Sequence, residues 1–389
     1  MKKIFLVVAT VFMMFSCSQK EPVTVTVTNP LALDRDGEMV EVSMAEISKK
    51  LQLPDTAQVV VFDESGLEVP YQITYNDMLI FPVSVKGEGS ATFIISEGTP
   101  QPVDVAACGR QYPERLDDMA WENDRAAYRA YGPALQAKGE RGFGYDVWTK
   151  SVPEMVVEDR YDNELNHHIS YHVDHGNGMD CYAVGPTLGG GTAALFPDST
   201  IVYPYCYKEC EVLDNGPLRF TAKLVYNPLI VKGDSGVIET RVISLDKGSQ
   251  LNKTVVIYDN LKEITPVVTG IVLHKENPMG YSFDMNAGYI AYADSTENPR
   301  NNNGVIYIGA VFPANIQATT QLFSKEEQKE HGGALGHVLG ISDYEPGAEY
   351  VYYWGSGWSK YGFEVETDWT KYLEEYAQKV RNPLTVTVQ

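Results

Sequence analysis

The sequence predicts an all-β protein: a small N-terminal β-sandwich, then a large antiparallel β-supersandwich with a C-terminal helix. Three observations favour this class. Short runs of alternating apolar residues recur about every ten residues, with turn-forming residues between them. The 389 residues include 33 glycines, 21 prolines and 25 tyrosines, which is a composition rich in turns and amphipathic rings. The chain also lacks the strand–helix alternation that builds parallel sheets.

Residues 1–17 predict an export leader that ends in a lipid attachment site. The positive start Met1–Lys3 precedes the apolar run Ile4–Phe15, which as a helix would rise only about 18 Å of a ~30 Å hydrocarbon core. Ser16 and Cys17 are similar to the end of a bacterial lipobox, which predicts lipidation of Cys17. An ordinary signal peptide with an incidental cysteine is the alternative. We expect a cell-envelope protein, on the periplasmic or surface face of the outer membrane, that contacts the membrane through its anchor alone.

Residues 18–103 predict the small sandwich. Apolar residues alternate in Val23–Val27 and cluster in short runs up to Ala91–Ile95, with turn signals such as Lys86–Gly89 between them. Met44–Leu51 alone has a brief helical pattern. The segment Thr99–Pro102 predicts a linker, because proline removes hydrogen-bond donors and stiffens the chain.

Residues 104–389 predict the large sandwich, which is built from short strands that are too polar for a covered parallel sheet. One helix is expected near the end of the chain. It starts at Thr367 or Asp368 and stops at Asn382-Pro383. Its apolar residues form a single stripe, which predicts packing on the sheet: Trp369, Tyr372, Leu373, Tyr376 and Val380.

The net charge of −21 argues against nucleic acid or an anionic bilayer as a partner, because both require clustered Lys and Arg. It leaves room for an anionic sugar held by a few local cations. Four cysteines follow the leader, and we expect them to be buried free thiols, with a bridge between distant cysteines left open: Cys108, Cys181, Cys206 and Cys210.

The densest polar cluster lies in residues 160–182, where four of the seven histidines fall within nine positions. If 168–174 is a strand, His172 and Asp174 share its polar face. One interpretation is acid/base catalysis, and a second is a Ca²⁺ site between Asp174 and Asp180, although the sequence requires no cofactor. A polar turn with solvated histidines is the third. The catalytic candidates are His172, Asp174, His175, Asp180 and Tyr182.

Two further clusters offer groups that bind sugars. Arg125, Arg129 and Tyr131 would share one strand face, where a guanidinium can grip a carboxylate and an aromatic ring can stack on a sugar. The segment Tyr352–Tyr361 places glycines beside tryptophans, which would leave ring faces uncovered. Ion pairing and core packing are the structural alternatives. The complete set of substrate-binding candidates is Arg125, Arg129, Tyr131, Trp148, Trp354, Trp358 and Lys360.

Several motifs together resemble a family of Bacteroidetes lipoproteins that carry a domain of unknown function. Besides the lipobox and the tail helix, they are Val25–Pro30, Arg125–Pro133, His175–Asp180, Gly185–Gly191 and Trp354–Trp358. The resemblance covers nearly the whole mature chain and implies a role in polysaccharide utilisation, often beside pectin-degrading enzymes. It also implies a large sandwich similar to those of galactose-mutarotase-like and polysaccharide-lyase proteins, by analogy of shape.

The leading hypothesis is therefore cleavage of a uronate-containing, pectin-like glycan. In a lyase, Arg125, Arg129 or a metal would neutralise the uronate carboxylate. His172 or His175 would remove the C5 proton, and Tyr182 would protonate the leaving oxygen. A hydrolase would instead use two carboxylates, for which the candidates are Asp174, Asp180, Glu122 and Asp146. The alternative is a non-catalytic glycan-binding lipoprotein, which needs only the tryptophans and the cations.

Overall fold

A computed structural model describes residues 21–54, 57–296 and 299–389 of the chain. The leader and Cys17 lie outside the described residues, so signal cleavage and lipidation stay predictions. The predicted all-β class is confirmed, because antiparallel sheets dominate and helices are few. No helix within the described ranges is long and apolar enough to cross a membrane.

The N-terminal strands form two sheets around one core. Valine and threonine alternate in the first strand, and its valines all point into that core. The two sheets have the strand orders β25-β1-β7-β3-β4 and β2-β6-β5, and the last strand of the chain, β25 (Thr385–Val388), pairs with β1. The elements are β1 (Val23–Thr28), β2 (Arg35–Ser43), α1 (Met44–Leu51), β3 (Val59–Asp63), β4 (Glu68–Val69), β5 (Gln72–Ile73), β6 (Met78–Val85) and β7 (Ser90–Glu97).

A four-stranded antiparallel sheet follows, in the order β11-β10-β9-β8. One face of this sheet packs into the main core through Trp121 and Tyr128, and the other face carries Trp148 and a helix. The elements are β8 (Ala107–Tyr112), β9 (Asp118–Asn123), β10 (Ala127–Ala130), α2 (Pro133–Ala137), β11 (Asp146–Trp148) and α3 (Val157–His167).

The rest of the chain builds the two largest layers. A nine-stranded sheet runs β13-β14-β16-β17-β24-β21-β20-β19 with β15 beside β16, and a four-stranded sheet runs β12-β18-β23-β22. The elements are β12 (Gly190–Leu195), β13 (Glu209–Asn215), β14 (Arg219–Val225), β15 (Leu229–Val231), β16 (Asp234–Asp246), β17 (Leu251–Asp259), β18 (Thr265–Leu273), β19 (Tyr281–Asp284), β20 (Tyr289–Asp294), β21 (Ile306–Val311), β22 (Gln317–Leu322), α4 (Lys325–Glu330), β23 (Gly336–Tyr344), β24 (Tyr350–Trp358) and α5 (Glu366–Arg381). Short 3₁₀ turns lie at Pro113–Arg115, Pro197–Ser199 and Pro299–Asn301.

The predicted tail helix is confirmed as α5. Its stripe packs on the outer face of the nine-stranded sheet, with Trp369 and Leu373 fully buried. The Trp369 indole donates to the carbonyl of Ile308 at 3.1 Å, which satisfies the buried N–H. The predicted strand at 169–173 is wrong: the segment follows α3 as an irregular loop.

The four cysteines in the described part of the chain are free thiols. Cys181 and Cys206 are buried, while Cys108 and Cys210 are half-buried. Cys206 lies before β13, which begins at Glu209, and Cys210 lies within that strand. Burial raises the pKa of the Cys206 thiol to about 11, so this group is neutral at physiological pH.

Candidate functional site

The site is built around Arg129, which lies in the middle of β10 with only 5% of its surface exposed. Its guanidinium donates to the carboxylates of Asp146 and, at 3.0 Å, of Asp180. A third carboxylate, that of Asp118 on the neighbouring strand β9, lies 3.7 Å from Nη1. We call these four residues the Arg129 cluster. Three buried acids share one buried cation, so the cluster carries an excess of negative charge when all of them are ionised.

The excess negative charge falls on Asp118, the acid that lies farthest from the Arg129 guanidinium. Asp118 is completely buried, and its Oδ1 has no hydrogen-bond partner among the described residues. Burial raises the pKa of Asp118 to about 6, against the opposing effect of Arg129 and Arg115. The carboxyl group is therefore protonated in a substantial fraction of molecules at mildly acidic pH.

An aromatic wall covers the Arg129 guanidinium. The rings of Tyr131 and Trp148 each lie 5.1 Å from its central carbon, and Trp148 stacks on Tyr171 at 4.8 Å. The Trp148 indole donates to the Asp146 carboxylate at 3.0 Å. Trp148 is 1% exposed, so protein groups already cover the ring face that we predicted for sugar stacking.

The loop after α3 carries the histidines to the edge of this cluster. The helix ends at His167, and the φ of 56° at the following residue, His168, turns the chain back. Asp174 then accepts hydrogen bonds from the backbone N–H groups of Gly176 and Gly178, at 2.8 and 3.0 Å. Asp174 therefore fixes its own loop and does not orient a histidine, contrary to our prediction. The prediction that His172 and Asp174 share one face of a strand is wrong, because residues 168–174 form no strand.

Both catalytic histidine candidates are exposed and have a defined tautomer. His172 Nδ1 lies 3.0 Å from the backbone oxygen of Asp180, and His175 Nε2 lies 3.0 Å from that of Ser170. A carbonyl oxygen only accepts, so each of these nitrogens carries the proton. In the neutral ring the other nitrogen, Nε2 of His172 and Nδ1 of His175, has the lone pair and can act as a base.

Sequence reasoning missed Arg115, which completes this edge together with Tyr171. The Arg115 guanidinium donates to the Tyr171 hydroxyl at 3.1 and 3.3 Å, and Arg129 donates to the same oxygen at 3.4 Å. Arg115 is partly exposed, and no carboxylate of the described residues lies within 4 Å of it. The Tyr171 and His172 rings lie 4.6 Å apart. We call Arg115, Tyr171 and His172 the rim.

Tyr182 lies elsewhere. It is buried in the main core, its hydroxyl has no partner among the described residues, and its ring lies 5.9 Å from His274. His274 Nδ1 in turn lies 2.5 Å from Asp294. Burial opposes protonation of His274, but the hydrogen bond and charge of Asp294 raise its pKa overall. The structure therefore pairs Tyr182 with a buried His–Asp pair and not with His172.

The remaining substrate-binding candidates divide between core and surface. Trp354 is completely buried and stacks on Tyr145 at 4.0 Å, so it is a core residue. Trp358 is also buried, with the ammonium of the exposed Lys360 5.6 Å from its ring. The exposed Arg125 joins Trp148 and Trp358 around a pocket of about 10 Å³. That volume holds about one water molecule, not a sugar ring.

Metal binding gains no geometric support in the described ranges. They contain no group of three or more His, Cys, Asp or Glu side chains placed to hold an ion. The two carboxylates of the Ca²⁺ interpretation have other partners, since Asp174 caps its loop and Asp180 pairs with Arg129.

Chemically, the rim can do three things at one place. The Arg115 guanidinium can pair with an anion, His172 Nε2 can accept a proton, and the Tyr171 hydroxyl can donate one because its oxygen already accepts from two arginines. The Arg129 cluster behind it is closed to solvent and holds these groups in position.

Several known proteins are similar to this chain in sequence or in structure. Uncharacterized protein P7 of Formosa agariphila is 25% identical over 402 residues, which cover 99% of this chain and 98% of that protein. A glycosyl hydrolase family 38 protein and an α-mannosidase, both from Enterococcus faecalis, match with TM-scores of 0.48 and 0.46 at 8% and 10% identity. They cover 96% and 95% of this chain, which spans about half of theirs, 48% and 46%. The family described as domain of unknown function DUF4861 matches residues 27–386, and the chain belongs to that family.

Proposed function

We propose that this protein is a lyase that cleaves a uronate-containing glycan at the rim. The observation that carries the proposal is Arg115, a partly exposed guanidinium without a carboxylate partner in the described chain, beside a histidine with a free ring nitrogen. Among the described residues, Arg115 donates only to a tyrosine hydroxyl, so its guanidinium keeps donors that can pair with the carboxylate of an anionic sugar.

The rim supplies each group that β-elimination requires. Arg115 pairs with the uronate carboxylate and stabilises the negative charge that develops when the C5 proton leaves. His172 Nε2 takes that proton, the electron pair forms the C4=C5 double bond, and the C4–O bond breaks. The Tyr171 hydroxyl protonates the departing oxygen. These assignments replace Arg125 and Tyr182 of the sequence hypothesis with residues that lie together.

A hydrolytic mechanism has less support at this place. Inverting and retaining hydrolases both need two carboxyl groups that reach opposite sides of the bond. The three acids of the Arg129 cluster are buried and committed to one guanidinium. Of the four sequence candidates, Glu122 is also buried, where it pairs with Lys150 at 2.6 Å.

The proposal extends to the location of the protein. The leader and the lipobox-like Ser16-Cys17 support a lipid-anchored protein in the cell envelope, where polymeric glycans first reach the cell. Metabolic labelling with a fatty acid, compared between the full chain and a Cys17→Ala variant, tests this part separately.

The central experiment mixes the mature protein with a panel of uronate polymers and follows the ultraviolet absorbance of the unsaturated product, with size analysis in parallel. We expect absorbance to rise with at least one polymer, and His172→Ala to lower the rate by roughly 10²–10⁴-fold without loss of binding. His167→Ala, on the exposed end of α3, is the matched control. Shortened chains without absorbance would contradict the lyase mechanism, and retention without cleavage would make this a binding protein.

A further inference from the structure

A cavity of the described structure is lined by residues that are distant in sequence from the rim. These lining residues also differ from the rim in chemistry. The cavity encloses about 320 Å³, at the lower end of the roughly 300–1,000 Å³ usual for small-molecule sites. Its walls are β2 of the N-terminal sandwich, the outer face of the nine-stranded sheet and helix α5. Both the N-terminal sandwich and the large sandwich therefore contribute side chains to one cavity.

Tyrosine rings form one wall of the cavity. Tyr353 of β24 and Tyr376 of α5 meet edge to face at 5.3 Å, and Tyr372 lies 5.9 Å from Tyr376. All three are partly exposed, and the Tyr353 hydroxyl makes no hydrogen bond within the described residues. Rings with an accessible face and a polar edge suit the apolar faces and hydroxyl edges of a sugar.

Charges around the cavity balance. Four acidic and four basic side chains line it: Asp36, Glu38, Glu41, Asp246, Arg219, Lys247, Lys253 and Lys379. Arg219 is saturated by Asp246 and Glu41, with contacts of 2.5 to 2.8 Å. A balanced lining gives no net attraction for an anion or a cation, so it favours a neutral ligand.

Unpaired polar groups indicate what that ligand must offer. The Oε2 atom of Glu38 is buried without a hydrogen-bond donor, while its Oε1 accepts from Arg35 at 2.7 Å. Lys253 is exposed and has no carboxylate within 4 Å among the described residues. Because Glu38 Oε2 is shielded from the cavity, the groups open to a ligand are the Lys253 ammonium and the Tyr353 hydroxyl, and each can hydrogen-bond a sugar hydroxyl.

We infer that this cavity is a second glycan site, which binds a neutral sugar residue between the N-terminal sandwich and the large sandwich. The inference goes beyond the proposed function, because none of the lining residues belongs to the rim.

Binding of neutral di- and trisaccharides of galactose, glucose, mannose, xylose, arabinose and rhamnose to the whole mature chain tests the inference. We expect at least one to raise the unfolding temperature with concentration, as mass action requires. Tyr353→Phe and Lys253→Ala should each weaken its binding by about threefold to tenfold, the usual effect of one lost hydrogen bond. Both variants remove exposed or unpaired groups, so both are expected to fold.

Matched controls are Tyr205→Phe and Lys325→Ala, which change exposed residues elsewhere in the large sandwich. Arg115→Ala separates the two proposals, because it should leave neutral binding unchanged whatever it does to uronate polymers. The inference is overturned if no saccharide of the panel binds, or if Tyr353→Phe and Lys253→Ala bind as tightly as the wild type.

Discussion

Arg129 and Arg115 meet at one hydroxyl group, that of Tyr171, but they lie in opposite environments. Arg129 is buried among three carboxylates, and Arg115 is partly exposed with none within 4 Å in the described chain. The buried arginine is paired with protein carboxylates through its terminal nitrogens, and its remaining donor, Nε, is closed off from solvent. The rim arginine has spare donors and solvent access. The comparison teaches that the partners of a cation, more than its presence in a motif, indicate whether it is available to a ligand.

The largest loss of stability is expected when Arg129 is replaced. Arg129→Met should lower the free energy of unfolding by ~3–5 kcal/mol, because three carboxylates would be left in the interior without their cation. Denaturant unfolding of the variant measures the loss. Arg125→Ala, four residues earlier and exposed, is the control and should change stability by less than ~0.5 kcal/mol. Equal losses of stability in Arg129→Met and Arg125→Ala would contradict the view that the buried, paired arginine matters more to the fold than the exposed one.

Asp118 gives the cluster a specific pH dependence. Burial raises its pKa to about 6 from an ordinary 3.8, so between these values the folded protein binds this proton more tightly than the unfolded chain does. The contribution of Asp118 to stability therefore falls as the pH rises through that range, by about 3 kcal/mol in total.

Asp118→Asn should remove that decline, and the difference between variant and wild type across pH 4–7 isolates it, on the order of 3 kcal/mol. Asp259→Asn, at an exposed carboxylate, is the control. Parallel stability curves for wild type and Asp118→Asn would show that the carboxyl has an ordinary pKa.

Tyr171→Phe tests the link between the two arginines. The ring stays stacked on Trp148, but Arg115 and Arg129 lose the oxygen to which both donate. We expect the free energy of unfolding to fall by ~1–2 kcal/mol, since Arg129 loses a buried acceptor. The rate of cleavage should fall by more than this loss of stability explains. Unchanged cleavage would exclude Tyr171 as the acid.

Among the substitutions in the Arg129 cluster and the rim, Arg115→Ala should have the smallest effect on stability. Its contacts are two hydrogen bonds to a tyrosine at a partly exposed position, worth no more than ~1 kcal/mol. Thermal unfolding of Arg115→Ala and Arg129→Met, measured side by side, gives the difference in stability between the two variants. A loss as large as that of Arg129→Met would make Arg115 a structural residue like its neighbour.

Regular elements could be predicted from the sequence because their patterns are local. The stripe of Trp369 and Leu373 identified α5, and Met44–Leu51 was predicted at the bounds that the structure gives to α1. Helix α3 was missed because its buried face includes Arg160 among few apolar residues, so its sequence shows no apolar stripe. Burial of a charge is a tertiary property that hydrophobic periodicity does not carry.

The candidate site could be predicted only in part for the same reason. The cluster of His172 and Asp180 was identified by its density of polar residues, and the two do lie together. Arg115 follows a proline turn in no recognisable pattern, so only the fold brings it to Tyr171. Trp354 was predicted as a sugar platform because glycines flank it, but those glycines allow close packing of the core, where a Cβ at Gly355 would lie 1.9 Å from a backbone oxygen.

The most direct measurement compares binding of a uronate oligosaccharide with that of its carboxyl-reduced, neutral counterpart, in wild type and in Arg115→Ala. We predict that the wild type prefers the acidic form by about tenfold, the effect of a charge-assisted hydrogen bond, and that Arg115→Ala binds both forms equally. Arg125→Ala should keep the wild-type preference. Equal binding of both forms by the wild type, or a preference that survives in Arg115→Ala, would contradict the assignment of Arg115 as the carboxylate receptor.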